Sequence, residues 1–163
     1  MTNLPSTLRM LNFCHNEIPY VDLTNLPADL KELSLNSNKF TNLEFNSLPA
    51  GLTNLSLSSN KLTTVDLNNL PASLIHLFFC NHGLLHEIDL THLPQNLTTL
   101  HLYDNKLTKV DLTFLPNSLQ QIHLNSNQLT ELDLTRLQTS LVYLYLSQNL
   151  ISKLDLTALP ESL

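Results

Sequence analysis

The side chains of this 163-residue chain that could do chemistry are few, and several recur at one spacing. Phe78, His101, His123 and Tyr145 follow one another at intervals of 23, 22 and 22 residues, and His76, Tyr103, Asp104 and Tyr143 lie within three residues of that series. Imidazole suits zinc, copper or nickel, so His101 and His123, with His76 or Asp104 as a third ligand, define a metal arrangement to weigh. A four-coordinate site needs convergent ligands, and two histidines without a closing set do not supply them, so no metal and no cofactor is expected. Aromatic rings with polar tips are, on the other hand, typical anchors of protein interfaces. His76, Phe78, His101, Tyr103, Asp104, His123, Tyr143 and Tyr145 are therefore the expected protein-binding residues. The competing reading is that stacked rings only stabilise a sheet surface, as cross-strand aromatic pairs do.

A second series is acidic: Asp22, Glu44, Asp66, Asp89, Asp111, Asp133 and Asp155. Calcium would need several oxygen ligands around one ion, and one carboxylate per interval, flanked by leucines, is too few. The acids are expected to accept hydrogen bonds from the backbone and threonine hydroxyls of their own LDLT-like segments. No GxSxG, phosphate-binding loop, zinc-type Cys/His spacing or Cys–His dyad is present, so no enzyme is expected.

The elements that position these residues follow from the same interval. Leu8, Leu30, Leu52, Leu74, Leu97, Leu119 and Leu141 open successive copies of LxxLxLxxN, and the same leucine reappears as Leu163, with steps of 22 residues and a single step of 23 in the fourth unit. A period in the twenties is the signature of a solenoid. Seven units of about 22 residues, with a one-residue insertion in the fourth, are read as a single domain over residues 1–163. The alternation in ELSLN or YLYLS predicts a short strand in each unit. All units run the same way, so the strands form one parallel, concave, seven-stranded sheet. After each strand stands an asparagine (Asn16, Asn38, Asn60, Asn105, Asn127, Asn149), a residue whose side chain can hold a turn. Opposite it lies a proline (Pro5, Pro27, Pro49, Pro71, Pro94, Pro116, Pro160), which predicts extended chain and short turns on the convex side, with few or no long helices.

The pattern LPxxLxxLxLxxNxLTxLDLT resembles the leucine-rich repeat, an α/β-type solenoid, and its short LP-containing form is similar to the repeats of effectors that pathogenic bacteria deliver into host cells. The resemblance spans the whole chain. It implies a non-catalytic protein-binding module, with a host protein as partner, residing in the bacterial cytoplasm before delivery and in the host cytosol after it. Such effectors often add a helical cap before the repeats or a ubiquitin-ligase domain after them; the repeats here run from Leu4-Pro5 to Leu163, and neither addition is expected.

Function must lie where the repeat varies. Outward strand positions read Asn12, Ser34, Ser56, Phe78, His101, His123, Tyr145, flanked by Met10, Glu32, Asn54, His76, Thr99, Gln121, Tyr143 and by Cys14, Asn36, Ser58, Cys80, Tyr103, Asn125, Ser147. Small polar residues give way to rings from the fourth unit onward. In that unit His82 replaces the asparagine and Gly83 follows, either as a protruding loop that brings His82 and His86 near the rings or as a tolerated insertion. The first and last strands should be uncovered, so pairing of two chains through these ends is an alternative function. Metal- or pH-responsive binding through the concave histidines is another.

Composition narrows the partners. Fourteen acids against eight bases give a formal charge of −6, which disfavours nucleic acid. Cys14 and Cys80 sit three strands apart, roughly 14 Å at the spacing of a sheet, too far for a disulfide. Free thiols point to a reducing compartment. Neither a cleavable signal peptide nor an apolar run of membrane-spanning length is visible, so a soluble protein with no membrane partner is expected.

Overall fold

The computed structural model describes residues 4–157 and 159–163. Each unit contributes one three-residue strand: β1 (Met10–Asn12), β2 (Glu32–Ser34), β3 (Asn54–Ser56), β4 (His76–Phe78), β5 (Thr99–His101), β6 (Gln121–His123) and β7 (Tyr143–Tyr145). They lie in chain order in one parallel sheet, with β1 and β7 outermost. The register never slips: Leu11, Leu33, Leu55, Leu77, Leu100, Ile122 and Leu144 are successive partners. In β2 to β6 this central residue is buried and its two neighbours half-exposed, as the two-residue period of a strand requires. No helix occurs among the described residues. The convex side consists of turns in which the leucine that opens a unit donates its N–H to the carbonyl three residues earlier, a proline in Leu52 to Pro49 (3.0 Å) and Leu119 to Pro116 (3.0 Å) and a glutamine in Leu141 to Gln138 (3.1 Å).

Leucine stacking alone would leave the turns after the strands with unpaired buried backbone groups, which costs roughly 1–3 kcal/mol each. The repeated asparagine removes that cost. Asn127 is buried, and its amide donates to the carbonyls of Leu102 (3.0 Å), Leu124 (3.0 Å) and Asn125 (3.3 Å), while its side-chain oxygen accepts the N–H of Leu107 (3.0 Å). Asn60 and Asn38 repeat the arrangement one coil at a time. Each asparagine thus joins its own coil to the one before it. The residue ahead of it is left-handed in every unit, with φ between 54° and 58° at His15, Ser37, Ser59, Asn81, Asp104, Ser126 and Gln148, none of them glycine. That conformation costs roughly 1–2 kcal/mol for an L-residue and is held in place by the bonds on both sides.

Six of the seven acids accept bonds within their own turns, Asp66 and Asp111 from the backbone N–H two residues on, whereas Glu44, with its longer side chain and Asn46 in the threonine's place, makes no such bond. Asp89, Asp133 and Asp155 each accept both the N–H and the hydroxyl of the threonine two residues on, at 2.7 to 2.9 Å, and Asp22 does the same with Thr24. These bonds, the side-chain one foremost, hold the four carboxyls below the usual carboxylate range. The aspartates lock their own turns. Cys14 and Cys80 are free thiols, the second one buried.

In the fourth unit the two readings of the insertion separate. His82 does not protrude towards the rings; it is buried at 4% exposure, in the asparagine's place, with its ring 4.2 Å from that of Phe79. The reason is the core: the position points inward in every coil, and an imidazole fits against Phe79 where an amide would otherwise sit. Neither ring nitrogen has a hydrogen-bond partner, so the asparagine-type bonds from coil three to coil four are missing, and the two coils are joined instead by the backbone ladder and by Ser58 and Ser59, whose hydroxyls accept from the Cys80 N–H and the Asn81 amide. Only the backbone N–H of His82 keeps its bond, to the Asn105 side chain at 3.1 Å. Gly83 absorbs the extra residue at φ +67, with open space around the position of a Cβ. Burial pushes the His82 imidazole down to about 4, only partly opposed by the nearby Asn60 carbonyl.

Two outcomes follow from the asparagine series. Asn127→Ala should lower the free energy of unfolding in urea by roughly 2–4 kcal/mol, because it deletes several bonds and orphans the buried groups that made them; the same change at exposed Asn16 should cost less. His82→Asn should raise the urea midpoint. A histidine held neutral in the fold lets the unfolded chain take up the proton first, so wild-type stability should fall as pH drops from about 6.5 to about 4, and the His82→Asn protein should lose less across that window.

Candidate functional site

Strands β4 to β7 bring the varying residues together. Phe78, His101, His123 and Tyr145 are register partners on adjacent strands, and strands lie about 4.8 Å apart. Their ring centroids accordingly follow at 4.8, 4.1 and 4.0 Å. The rings form one unbroken column. Phe78 meets His101 edge-on at 79°, whereas His123 and Tyr145 are nearly parallel at 19°. Within the column only His123 and Tyr145 therefore cover one another's faces, while His101 and His123 are tilted at 41°.

The flanking residues widen the column. His76 lies 6.4 Å from Phe78, Tyr103 lies 5.9 Å from His101 and 6.3 Å from His123, and Tyr143 lies 6.4 Å from Tyr145. Tyr103, Tyr143 and Tyr145 are exposed. The Gln121 side-chain amide meets Nε2 of His123. Asp104 stands outside the strand rows: it occupies the left-handed turn after Tyr103, donates its N–H to the Asn125 carbonyl at 3.1 Å, and acts on the rings through its charge, which, after Cys80 and burial, helps to raise Tyr103. Beneath Tyr103 lies Cys80, whose thiol burial pushes upward.

The electrostatics of the column are those of a neutral surface. Burial, then the neighbouring His123 and His76, push His101 down to about 4, and burial also lowers His123. Protonating either ring would place a charge against another ring already closed in by its neighbours. Among the described residues no three His, Cys, Asp or Glu side chains are grouped as a metal site would need. No helix among them is long and apolar enough to cross a membrane.

One feature of the concave face was not drawn from the sequence. Where Ser34 and Ser56 stand in place of rings, the sheet carries a hollow of about 350 Å³, walled by Met10 on one side and Phe78 on the other. The signal was present as a run of small residues ending at a phenylalanine, but a depression becomes visible only with the curvature.

The leucine-rich repeat family profile matches residues 96–117. No curated protein matches the sequence. The functional domain of InlJ from Listeria monocytogenes superposes with a TM-score of 0.79 at 29% identity, over 94% of this chain and 33% of that one. The leucine-rich repeat domain of a Shigella effector gives 0.66 at 25% identity over 92% of this chain and 63% of that one. CroV588, a circular leucine-rich repeat protein, gives 0.69 at 31% identity over 99% of this chain and 24% of that one. The chain thus spans about a third of the InlJ domain's length and about a quarter of CroV588. With the repeated coil and the in-register parallel sheet in agreement with the match at residues 96–117, the chain has the leucine-rich repeat fold.

Proposed function

We propose that this chain is a non-catalytic protein-binding module that docks a partner protein on the ring column of its concave sheet, and that it acts as a bacterial effector with a host protein as partner. The observation that carries the reading is the confinement of the column to β4–β7. Repeats 1 to 3 build the same sheet with Asn12, Ser34 and Ser56 at the equivalent positions, so the fold has no need of the rings. Half-exposed aromatics with polar tips are what protein interfaces select. The likeness to the leucine-rich repeat domain of a Shigella effector supports the setting in a host cell. His101 and Tyr145 are the central and outermost anchors, flanked by His76, Phe78, Tyr103, His123 and Tyr143.

A second reading, pairing of two chains through their ends, draws on β7, whose central Leu144 is only half-buried while Val142, Tyr143 and Tyr145 are exposed. Exposed strand edges recruit other strands.

The two readings separate experimentally. The double variant His101→Ala, Tyr145→Ala should lose partner capture from host lysate while keeping a melting temperature within a few degrees of the parent; undiminished capture would remove the ring column from consideration. Light scattering at high protein concentration should return the monomer mass if the ends do not pair, and a concentration-dependent dimer mass if they do.

A further inference from the structure

The geometry points to the hollow beside the ring column as a pocket for one arginine side chain presented by the partner protein, with Glu32 as its counter-ion. This rests on the reading that the concave sheet docks a protein. The hollow lies where β1, β2 and β3 carry Met10, Glu32 and Asn54 in one register row and Asn12, Ser34 and Ser56 in the next, closed by Phe78 of β4.

Glu32 is the only acid in the three outward-facing rows of the sheet, and those rows contain no lysine or arginine. Its carboxylate makes no ion pair and no hydrogen bond among the described residues, although it is half-buried. Neighbouring cations do not supply the partner: Lys31 turns away to the Gly51 carbonyl at 3.1 Å, and the Lys39–Glu17 ion pair lies elsewhere. Asn54, beside Glu32 in register, has an equally unengaged side-chain amide, whereas Ser34 and Ser56 are tied up, Ser34 with Cys14 (2.9 Å) and Ser56 with Asn36 (2.7 Å). The serine hydroxyls of the floor are thus satisfied, and the open polar groups are the Glu32 carboxylate and the Asn54 amide in one row, with the side-chain NH2 of Asn12 at the exposed edge of the next.

That combination selects a long apolar stem with a cationic, multi-donor head. A guanidinium presents a planar fork that matches a carboxylate at two points and still has N–H groups for the Asn54 oxygen. Its stem and its flat face pack against Met10 and Phe78, a cation–π arrangement open to a ring at the end of a column. Lysine offers the charge without the fork and the face. An acidic side chain is repelled by Glu32, and an aromatic one leaves the carboxylate desolvated and unpaired.

The test uses the full 163-residue chain, isotopically labelled, titrated with acetyl-arginine amide and with acetyl-citrulline amide, which has nearly the same shape and no charge. Saturable shifts of the Glu32, Ser34, Asn54 and Ser56 amide resonances are expected with the arginine probe, at least fivefold weaker with citrulline, and absent in Glu32→Gln, whose remaining spectrum should match the parent. No saturable response at these amides, or an equal response to citrulline, would overturn the assignment. Because His101→Ala, Tyr145→Ala leaves the hollow untouched, that variant should retain the arginine response, so failure of the ring column as an interface and failure of the hollow as an arginine pocket read out separately.

Discussion

The hydrogen-bond demand of the turn behind each strand is the constraint on which the structure depends. A coil of 22 residues wound around leucines must carry peptide groups into an apolar interior, and no ladder exists there to receive them. One asparagine per coil answers that demand by donating to carbonyls of two successive coils and accepting an N–H from the earlier one. The bond set leaves little freedom in rise or register. It also accompanies the left-handed residue that precedes each asparagine, a conformation adopted six times before an asparagine and once, at Asn81, before His82 among the described residues, each time at a residue other than glycine.

Because the interior is so fully determined, the outward positions of the strands are free to vary, and their variation is where chemistry resides. A parallel in-register sheet converts residues 22 apart into neighbours at about the strand spacing, so substituting rings at one position in four successive units builds a continuous column at 4.0 to 4.8 Å. Mutual cover then keeps His101 and His123 uncharged. The resulting surface combines hydrogen-bonding edges with apolar bulk, next to a hollow that carries the sheet's one outward acid.

Much of this was legible in the sequence, for specific reasons. The leucine period fixes the number of strands and their direction, the prolines exclude helices, and LDLT makes the aspartate–threonine turns recognisable because donor and acceptor are two residues apart. Strand alternation likewise puts Phe78, His101, His123 and Tyr145 on one face. What was not legible depends on three-dimensional detail. Whether rings show faces or edges is set by rotamers; the left-handed residues His15, Ser37 or Gln148 share no type that would mark them; and Asp104 is adjacent to Tyr103 in the chain yet sits in the left-handed turn beyond the strand. His82 was ambiguous because an insertion beside a glycine looks like an exposed loop, whereas burial follows from the inward direction of that position.

The unpartnered His82 has a mechanical consequence. In a solenoid each coil is braced only by its two neighbours, and the junction between the third and fourth coils lacks the side-chain brace that Asn60 and Asn105 provide on either side. That junction is held instead by the backbone ladder and by the Ser58 and Ser59 hydroxyls, which lie nearer the sheet surface than the buried asparagines. Ser56 and Phe78 stand on opposite banks of that joint, so flexure of the whole arc would widen or narrow the space between them, and a docked partner would feel the protein's curvature there.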